Sequence, residues 1–406
     1  MKDIKSIVAE FIKSSDGILR LRPAWVAHDF LSAGKRLGLK EEEYDVGERG
    51  SIIERWFCSE THADNRIDVA DEGFSYLEIP GEDITVIDAL KVCREEILGE
   101  EYAKTHDCLG RLIKIYDYGT RLFMHIHPKA EDMKKIGKNS KDEAYYYLDA
   151  PLGNHPESFF GVHRYIVEQN LQKEIFLPLL KEWKAGEEEI LKYSTAFFNV
   201  PGEGFFLDSG MLHAPGTALT MEIQESSDVC TVFQPTVEGY PISKSMLYKD
   251  VPAEDAEKYG EEAALDLIDW ELSSDPDFYE KRHLYPHVVE ETRQGERYEE
   301  WIYYGSRKFS GKRLILPPGG SFVSRENGVH NIFVWKGSGK VNDYEVKAGE
   351  FDLHSCMDEL LITCQKAKEG YIIKNTGTED LVLFKYFGPD INVDNMPEMG
   401  HIRRKE

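Results

Sequence analysis

Two histidines one residue apart, His125 and His127 in "RLFMHIHPKAED", close an apolar run and precede a proline. In a β-strand, residues i and i+2 point to the same face. The pair therefore presents two imidazoles side by side, with Phe123 one step back on that face. Imidazoles so spaced suit a divalent metal. A pair alone is not a site, because chance pairs are expected in a chain with 13 histidines. Downstream, "NSKDEAYYYLD" places Glu143 at the start of an aromatic strand, and "DSGMLHAPG" places His213 on a Gly-containing turn. Taken singly, Glu143 reads as an exposed strand-end carboxylate. Taken with His125, His127 and His213, it completes a set of three nitrogens and one oxygen. That set is borderline in softness, and zinc is the expected ion.

Elements that bring such residues together must be strands. "SIIERWFCSE", "RLIKIYDYGTRLFMHIHP", "DEAYYYLD", "TAFFNVPGEGFFLD" and "ALTMEIQESSDVCTVFQP" are rich in β-branched and aromatic residues. A helical insertion at about 165–192 interrupts them, with Pro178 and Gly186 as punctuation. An acidic helical stretch follows, and then short strands return with PPGG and KGSGK turns. Two histidines from one strand, a carboxylate from the next and a later histidine form the metal pattern of the cupin barrel. The expected fold is mainly β with helical insertions, built as two cupin-type (jelly-roll) barrels. The expected domains are an N-terminal metal-binding cupin domain over 1–245, a helical linker over 246–290 and a degenerate cupin barrel over 291–406. The last keeps His330 and His354 without an HxH pair or a suitably placed carboxylate, so it is expected to be metal-free.

Composition narrows the partners. The chain has 406 residues, 41% of them hydrophobic, and a formal net charge of −25. That charge disfavours nucleic acid and anionic membrane surfaces. No stretch approaches the ~18 apolar residues of a membrane span. "MKDIKSIVAEFIKSS" reads as an amphipathic opening helix that is kept. The six cysteines are scattered and form no CxxC, as reduced core thiols would. A cytoplasmic location is the expectation.

The chain resembles the type I phosphomannose isomerases, zinc-dependent bicupin enzymes, over about its first 240 residues. The family's Q-x-H-P-[DN] aligns with "HIHPKAED", with His125 at the glutamine. Its K-x-E-C-W-Y-I-L-D segment aligns with "KDEAYYYLD", and its P-G-D-x-F-x-V-P-[SA]-G-x-x-H-A segment with "PGEGFFLDSGMLHAPG". Its E-x-Q-x-x-S-D aligns with "EIQESSD". "GERGSIIERWFCSETHADN" and "LRPAW" fall where the family has its G-E-x-W and K-P-x-x-W-G segments. The chain departs from the family at Val232, which stands in place of an arginine, and at Val26 after the tryptophan.

This resemblance implies a metal-dependent aldose–ketose isomerase interconverting mannose 6-phosphate and fructose 6-phosphate, or a related pair. One divalent ion, zinc, is implied at His125, His127, Glu143 and His213. Lys141, in the family's K-x-E, is implied as the proton-transfer residue, with a pKa pushed down by desolvation and a nearby cation. Glu222 of "EIQ" is implied to position sugar hydroxyls or support the ligands. The partner is then a small sugar or sugar phosphate, with Lys129, Lys141 and Arg164 as cations to receive an anion. Two alternatives stay open: a non-catalytic sugar-sensing metal cupin and an iron-dependent cupin dioxygenase.

Overall fold

The aromatic and β-branched runs form antiparallel strands, and sheet dominates the molecule. The computed structural model describes residues 3–184, 186 and 188–400. Met1 and Lys2 of the expected opening helix, Ala185 and Glu187 of the expected insertion, and 401–406 lie outside the described residues. No described helix is long and apolar enough to cross a membrane. Among the described residues the chain forms two compact units, one of 3–26, 55–114 and 285–398, the other of 27–54, 115–284 and 399–400. The grouping is not linear: 3–26 and 55–114 belong with 285–398, where the sequence reading kept 1–245 together.

The unit containing 115–284 carries two sheets that matter for the site. In the larger, neighbouring strands within this unit run in the order His283–Leu284, Gly204–Leu207, Glu143–Tyr147 and Thr220–Glu225. The smaller has the order Thr231–Val232, His125–Ile126, His213–Ala214, Glu157–Val162 and Ser194–Phe198. Tyr145, Tyr147, Phe160, Phe205 and Phe278 share one apolar cluster. Burial of each large side chain contributes roughly 1.5–3 kcal/mol. None of the sheets closes on itself among the described residues.

The helical insertion contains Tyr165–Glu168 and Gln172–Glu182, then a short 3₁₀ turn, Glu189–Tyr193. Pro178 lies inside the second helix and does not end it; the stop is Trp183, at φ 42°. Phe176, Leu180 and Ile190 bury against Ala263, Ala264, Leu265 and Ile268. Those last four belong to the segment read as a linker. Its short helices, from Ser245–Tyr248 to Phe278–Arg282, instead contribute to this unit's core, because their Ala/Leu/Ile stripe has an apolar partner.

The other unit has an eight-stranded sheet in the order His287–Gln294, Arg297–Tyr303, Ser310–Leu316, Leu381–Phe387, His330–Lys336, Glu359–Ile362, Ile18–Arg22 and Tyr76–Leu77. A four-stranded sheet carries Ser321–Ser324, Tyr371–Asn375, Ser338–Val341 and Tyr344–Lys347. The opening helix spans Ile4–Ser14, with the Asp3 carboxylate accepting the Ser6 N–H at 2.8 Å. It packs Val8 in one cluster with Ala89, Leu90, Cys93 and Ile97 of helix Val86–Leu98. All six cysteines are unbonded, four of them buried.

Inside this second unit lies a buried ionic network. Lys385 pairs with Glu299 and, at 3.0 Å, with Glu326; Lys312 reaches Glu326 at 2.8 Å. His330 donates Nδ1–H to Gly328 O at 3.0 Å and meets the Tyr371 hydroxyl at 2.7 Å through Nε2. Both of its nitrogens are engaged, and burial pushes its pKa down to about 3. His354 is exposed.

Removing Lys385 takes from Glu299 its nearer cation and leaves Glu326 with Lys312 alone. Lys385→Met should lower stability by ~3–5 kcal/mol in denaturant unfolding, the cost of breaking a buried pair. His330 gives a pH dependence. Its folded pKa lies below its unfolded one, so the unfolded chain binds the extra proton between about pH 6.5 and about pH 3. Stability should therefore fall on acidification through that window, by about 1.4 kcal/mol per unit from this group. Unfolding curves across pH should show that slope reduced in His330→Gln.

Candidate metal centre

His125 and His213 are direct cross-strand partners, and Val232 pairs with His125 from the other side. The strand bearing the first histidine is only His125–Ile126, so His127 lies just past its hydrogen-bonded part. The backbone stays extended enough to keep the rings together: the His125 and His127 centroids are 4.9 Å apart. His125 and His213 are 4.1 Å apart, and His127 and His213 5.1 Å. All three side chains are buried, and one ring nitrogen from each lies within 4.8 Å of the others.

Each ring is held in one tautomer. His125 Nδ1 lies 2.9 Å from Phe123 O, His213 Nδ1 2.8 Å from Met211 O, and His127 Nδ1 2.7 Å from Val229 O. A carbonyl oxygen only accepts, so each Nδ1 carries the proton and each Nε2 offers a lone pair. Burial, followed by the other two imidazoles, pushes the His125 pKa well below the usual value. Burial and the Lys141 charge push His127 down to about 4. Both rings are neutral, as ligation requires.

Glu143 comes from the first residue of its strand in the other sheet. Its Oε1 lies 3.0 Å from His213 Nε2, and its Oε2 3.1 Å from His127 Nε2. These are contacts between lone pairs, and neither His127 Nε2 nor His213 Nε2 has a hydrogen-bond partner among the described residues. The separations are near the ~3.3 Å expected between ligand atoms sharing a tetrahedral zinc ion. The residues fit a divalent cation.

Lys141 spans two carboxylates, 3.0 Å from Glu143 Oε2 and 3.1 Å from Glu222 Oε1. Glu222 is brought there by register: it pairs with Tyr145, and Gln224 with Glu143, on adjacent strands. Burial alone would lower the Lys141 pKa, but the two carboxylates outweigh it and push it up. This reverses the downward shift expected from the sequence. Glu143 shows the complement: burial would raise its pKa, and Lys141 and the histidines hold it well below the carboxylate range.

The structure thus brings His125, His127, Glu143, His213, Lys141 and Glu222 to one buried place. It does not bring Lys129 or Arg164 into these contacts. Lys129 lies 3.6 Å from Asp269 and Arg164 3.0 Å from Glu271. Tyr145, whose hydroxyl donates to Glu143, was missed in the sequence. Its signal was the period-two alternation Glu143, Tyr145, Tyr147 in "EAYYY". Gly210 shapes the turn before His213: it has φ 88° and donates its N–H to His127 O at 2.6 Å.

No family model matches this sequence, and no curated protein matches it. The fold is similar to that of solved mannose 6-phosphate isomerases. The enzyme from Bacillus subtilis aligns with TM-score 0.61 at 16% identity, over 91% of this chain and 99% of that one. A zinc-bound mannose 6-phosphate isomerase gives 0.61 at 12% identity, over 92% and 100%. A variant phosphomannose isomerase from Salmonella typhimurium gives 0.62 at 12% identity, over 92% and 100%.

Loading with zinc should yield one ion per chain by elemental analysis. His127→Ala should lose stoichiometric metal yet keep its far-ultraviolet circular dichroism, since the apolar clusters do not depend on that ring. Full metal content in the purified variant would show that the ion binds elsewhere.

Proposed function

We propose that this protein is a metal-dependent aldose–ketose isomerase acting on a sugar or sugar phosphate, of the mannose 6-phosphate/fructose 6-phosphate type or a related pair. The observation that carries the reading is the junction of two devices: three imidazole nitrogens within 4.8 Å of one another, with Glu143 against two of them, and, sharing Glu143, the Lys141–Glu222 pair. The likeness of fold to mannose 6-phosphate isomerases supports it. In this reading the two units are two cupin-type barrels, the second lacking ligands. His125, His127, Glu143 and His213 hold one divalent ion, zinc being the expected one.

When bound, such an ion supplies Lewis acidity, polarising the substrate carbonyl and stabilising the negative oxygen of an enediolate. The chain supplies proton movement. Lys141 rests as an ammonium because Glu143 and Glu222 face it, and Glu222 also positions sugar hydroxyls or supports the ligands. Lys141 acts as a base only in the fraction that has lost that proton. The amine then removes the C2 proton and returns it to C1, and the hydroxyl proton passes from the C2 oxygen to the C1 oxygen, so that the carbonyl moves from C1 to C2. Sharing Glu143 with a cation weakens the attraction that keeps Lys141 charged. The buried Nδ1–H bonds of the three histidines keep their lone pairs aimed throughout the cycle. A net charge of −25 is consistent with a small-molecule partner and a cytoplasmic role, and not with nucleic acid.

One observation favours a second reading, a sugar-sensing metal protein without turnover. Lys141 is held protonated, as a binding residue would be. Proton exchange at C2 in deuterated water separates the two. The metal-loaded protein should exchange that proton in at least one aldose. Lys141→Met should slow exchange ~10²–10⁴-fold, the usual cost of losing a general base, with metal content unchanged. Absence of exchange across a full aldose panel would leave the sensing role.

A further inference from the structure

We propose that Gln234, Asp250 and Ser273 are positioning residues for the metal ligands, each acting through one peptide group, and that Asp250 sets the ligand strength of His127. The inference rests on the reading of His125, His127 and His213 as metal ligands, whatever reaction the site performs. The carbonyls that accept the three imidazole Nδ1–H groups belong to Phe123, Val229 and Met211. Each carbonyl shares its peptide group with the N–H of the next residue, which is Met124, Cys230 or Leu212. All three of those N–H groups donate to side-chain oxygens of the same unit. Met124 donates to Gln234 Oε1 at 3.0 Å, Cys230 to Asp250 Oδ2 at 2.6 Å and Leu212 to Ser273 Oγ at 3.0 Å. Gln234, Asp250 and Ser273 are all buried.

A trans peptide is planar and points its C=O and N–H in opposite directions. An acceptor on the N–H therefore stands behind the group, fixes its plane and leaves the carbonyl aimed at the imidazole. It also polarises the amide, and hydrogen bonds in such a chain strengthen one another. A stronger bond at Nδ1 raises the basicity of Nε2 and holds the ring in its ligating orientation. Each histidine thus ends a relay of side-chain oxygen, peptide group and imidazole.

The three relays are not equivalent. His125 and His213 use the carbonyl two residues earlier, so local backbone geometry already places the acceptor. His127 reaches a carbonyl 102 residues along the chain. Val229 lies between the strands Thr220–Glu225 and Thr231–Val232, in a segment with no ladder of its own. Side chains hold that segment instead: Gln224 Nε2 donates to Ser227 O, and Ser227 Oγ donates to Asn139 O at 2.8 Å. Asp250 completes the hold at the peptide that matters, and it is the one charged anchor of the three. Its Oδ1 accepts Lys138 Nζ at 2.7 Å, which orients the carboxylate in turn. A hydrogen bond to an ionised group is roughly twice as strong as a neutral one. His127 therefore has the most to lose. Asp250 follows the helix Ser245–Tyr248 and Ser273 ends the helix Trp270–Ser273, so the helices after Ser245 support the ligands as well as the core.

The test uses the zinc-loaded full chain with 15N-labelled histidine. Zinc affinity is read by competition with a chelator, and the Nδ1–H protons by NMR with assignment through space. Asp250→Asn keeps the side chain's shape and removes its charge. It should raise the zinc Kd about tenfold, as loss of a partner behind a ligand does. It should also move the His127 Nδ1–H resonance upfield and leave those of His125 and His213 in place. Ser273→Ala should move the His213 resonance alone. A general loosening of the core would move all three together, and that outcome overturns the inference. If Asp250→Asn fails to fold by circular dichroism, Ser273→Ala carries the test, and an unmoved His213 resonance overturns the inference. A zinc Kd within about twofold of wild type in folded Asp250→Asn also overturns it and leaves the metal site intact. A wild-type chain that takes up no zinc overturns the metal reading and this inference with it.

Discussion

Everything at the centre depends on one confrontation between lone pairs. Glu143 faces His127 Nε2 and His213 Nε2 at 3.1 and 3.0 Å, and none of these atoms brings a proton to the contact. The backbone sets this up because three carbonyls occupy the three Nδ1–H groups, so each imidazole turns an acceptor Nε2 inward. Such an arrangement costs free energy in an empty, desolvated site and is relieved by a cation. The strand register of Glu143, the pairing of His125 with His213 and the turn at Gly210 all serve it.

The other unit shows what the same local device does with a different partner. His330 also folds its Nδ1–H back onto the carbonyl two residues earlier, as His125 and His213 do. Its Nε2 then meets the Tyr371 hydroxyl at 2.7 Å, and the nearby carboxylates Glu299 and Glu326 take Lys385 as their cation. Fixed ammonium groups there do the neutralising that the first centre leaves to a bound ion. A network satisfied internally stabilises a core, whereas one left with facing acceptors makes a site.

In the proposed function, Lys141 links the candidate metal centre to proton transfer. Burial and carboxylate pairing act on it in opposite directions, and pairing prevails. The acidic surroundings that hold it charged also give the neighbourhood its negative character, so proton transfer and substrate charge are governed by the same groups. A change at Glu222 or Glu143 should be felt in both.

His125, His127, Glu143 and His213 were legible in the sequence because period-two alternation and turn residues leave local marks. The strand runs were legible for the same reason, as was the amphipathic opening helix. Tertiary structure decided what those marks could not carry. The unit boundaries depend on which distant segments share apolar clusters, so 3–26 and 55–114 fall with 285–398. The helices after Ser245 became core because Phe176 and Leu180 meet them. The Lys141 shift depends on two carboxylates that strand pairing puts within 3.1 Å of one ammonium. Spacing along a chain reports which side chains share a face. Charge balance and enclosure arise between faces, which separate parts of the chain must supply.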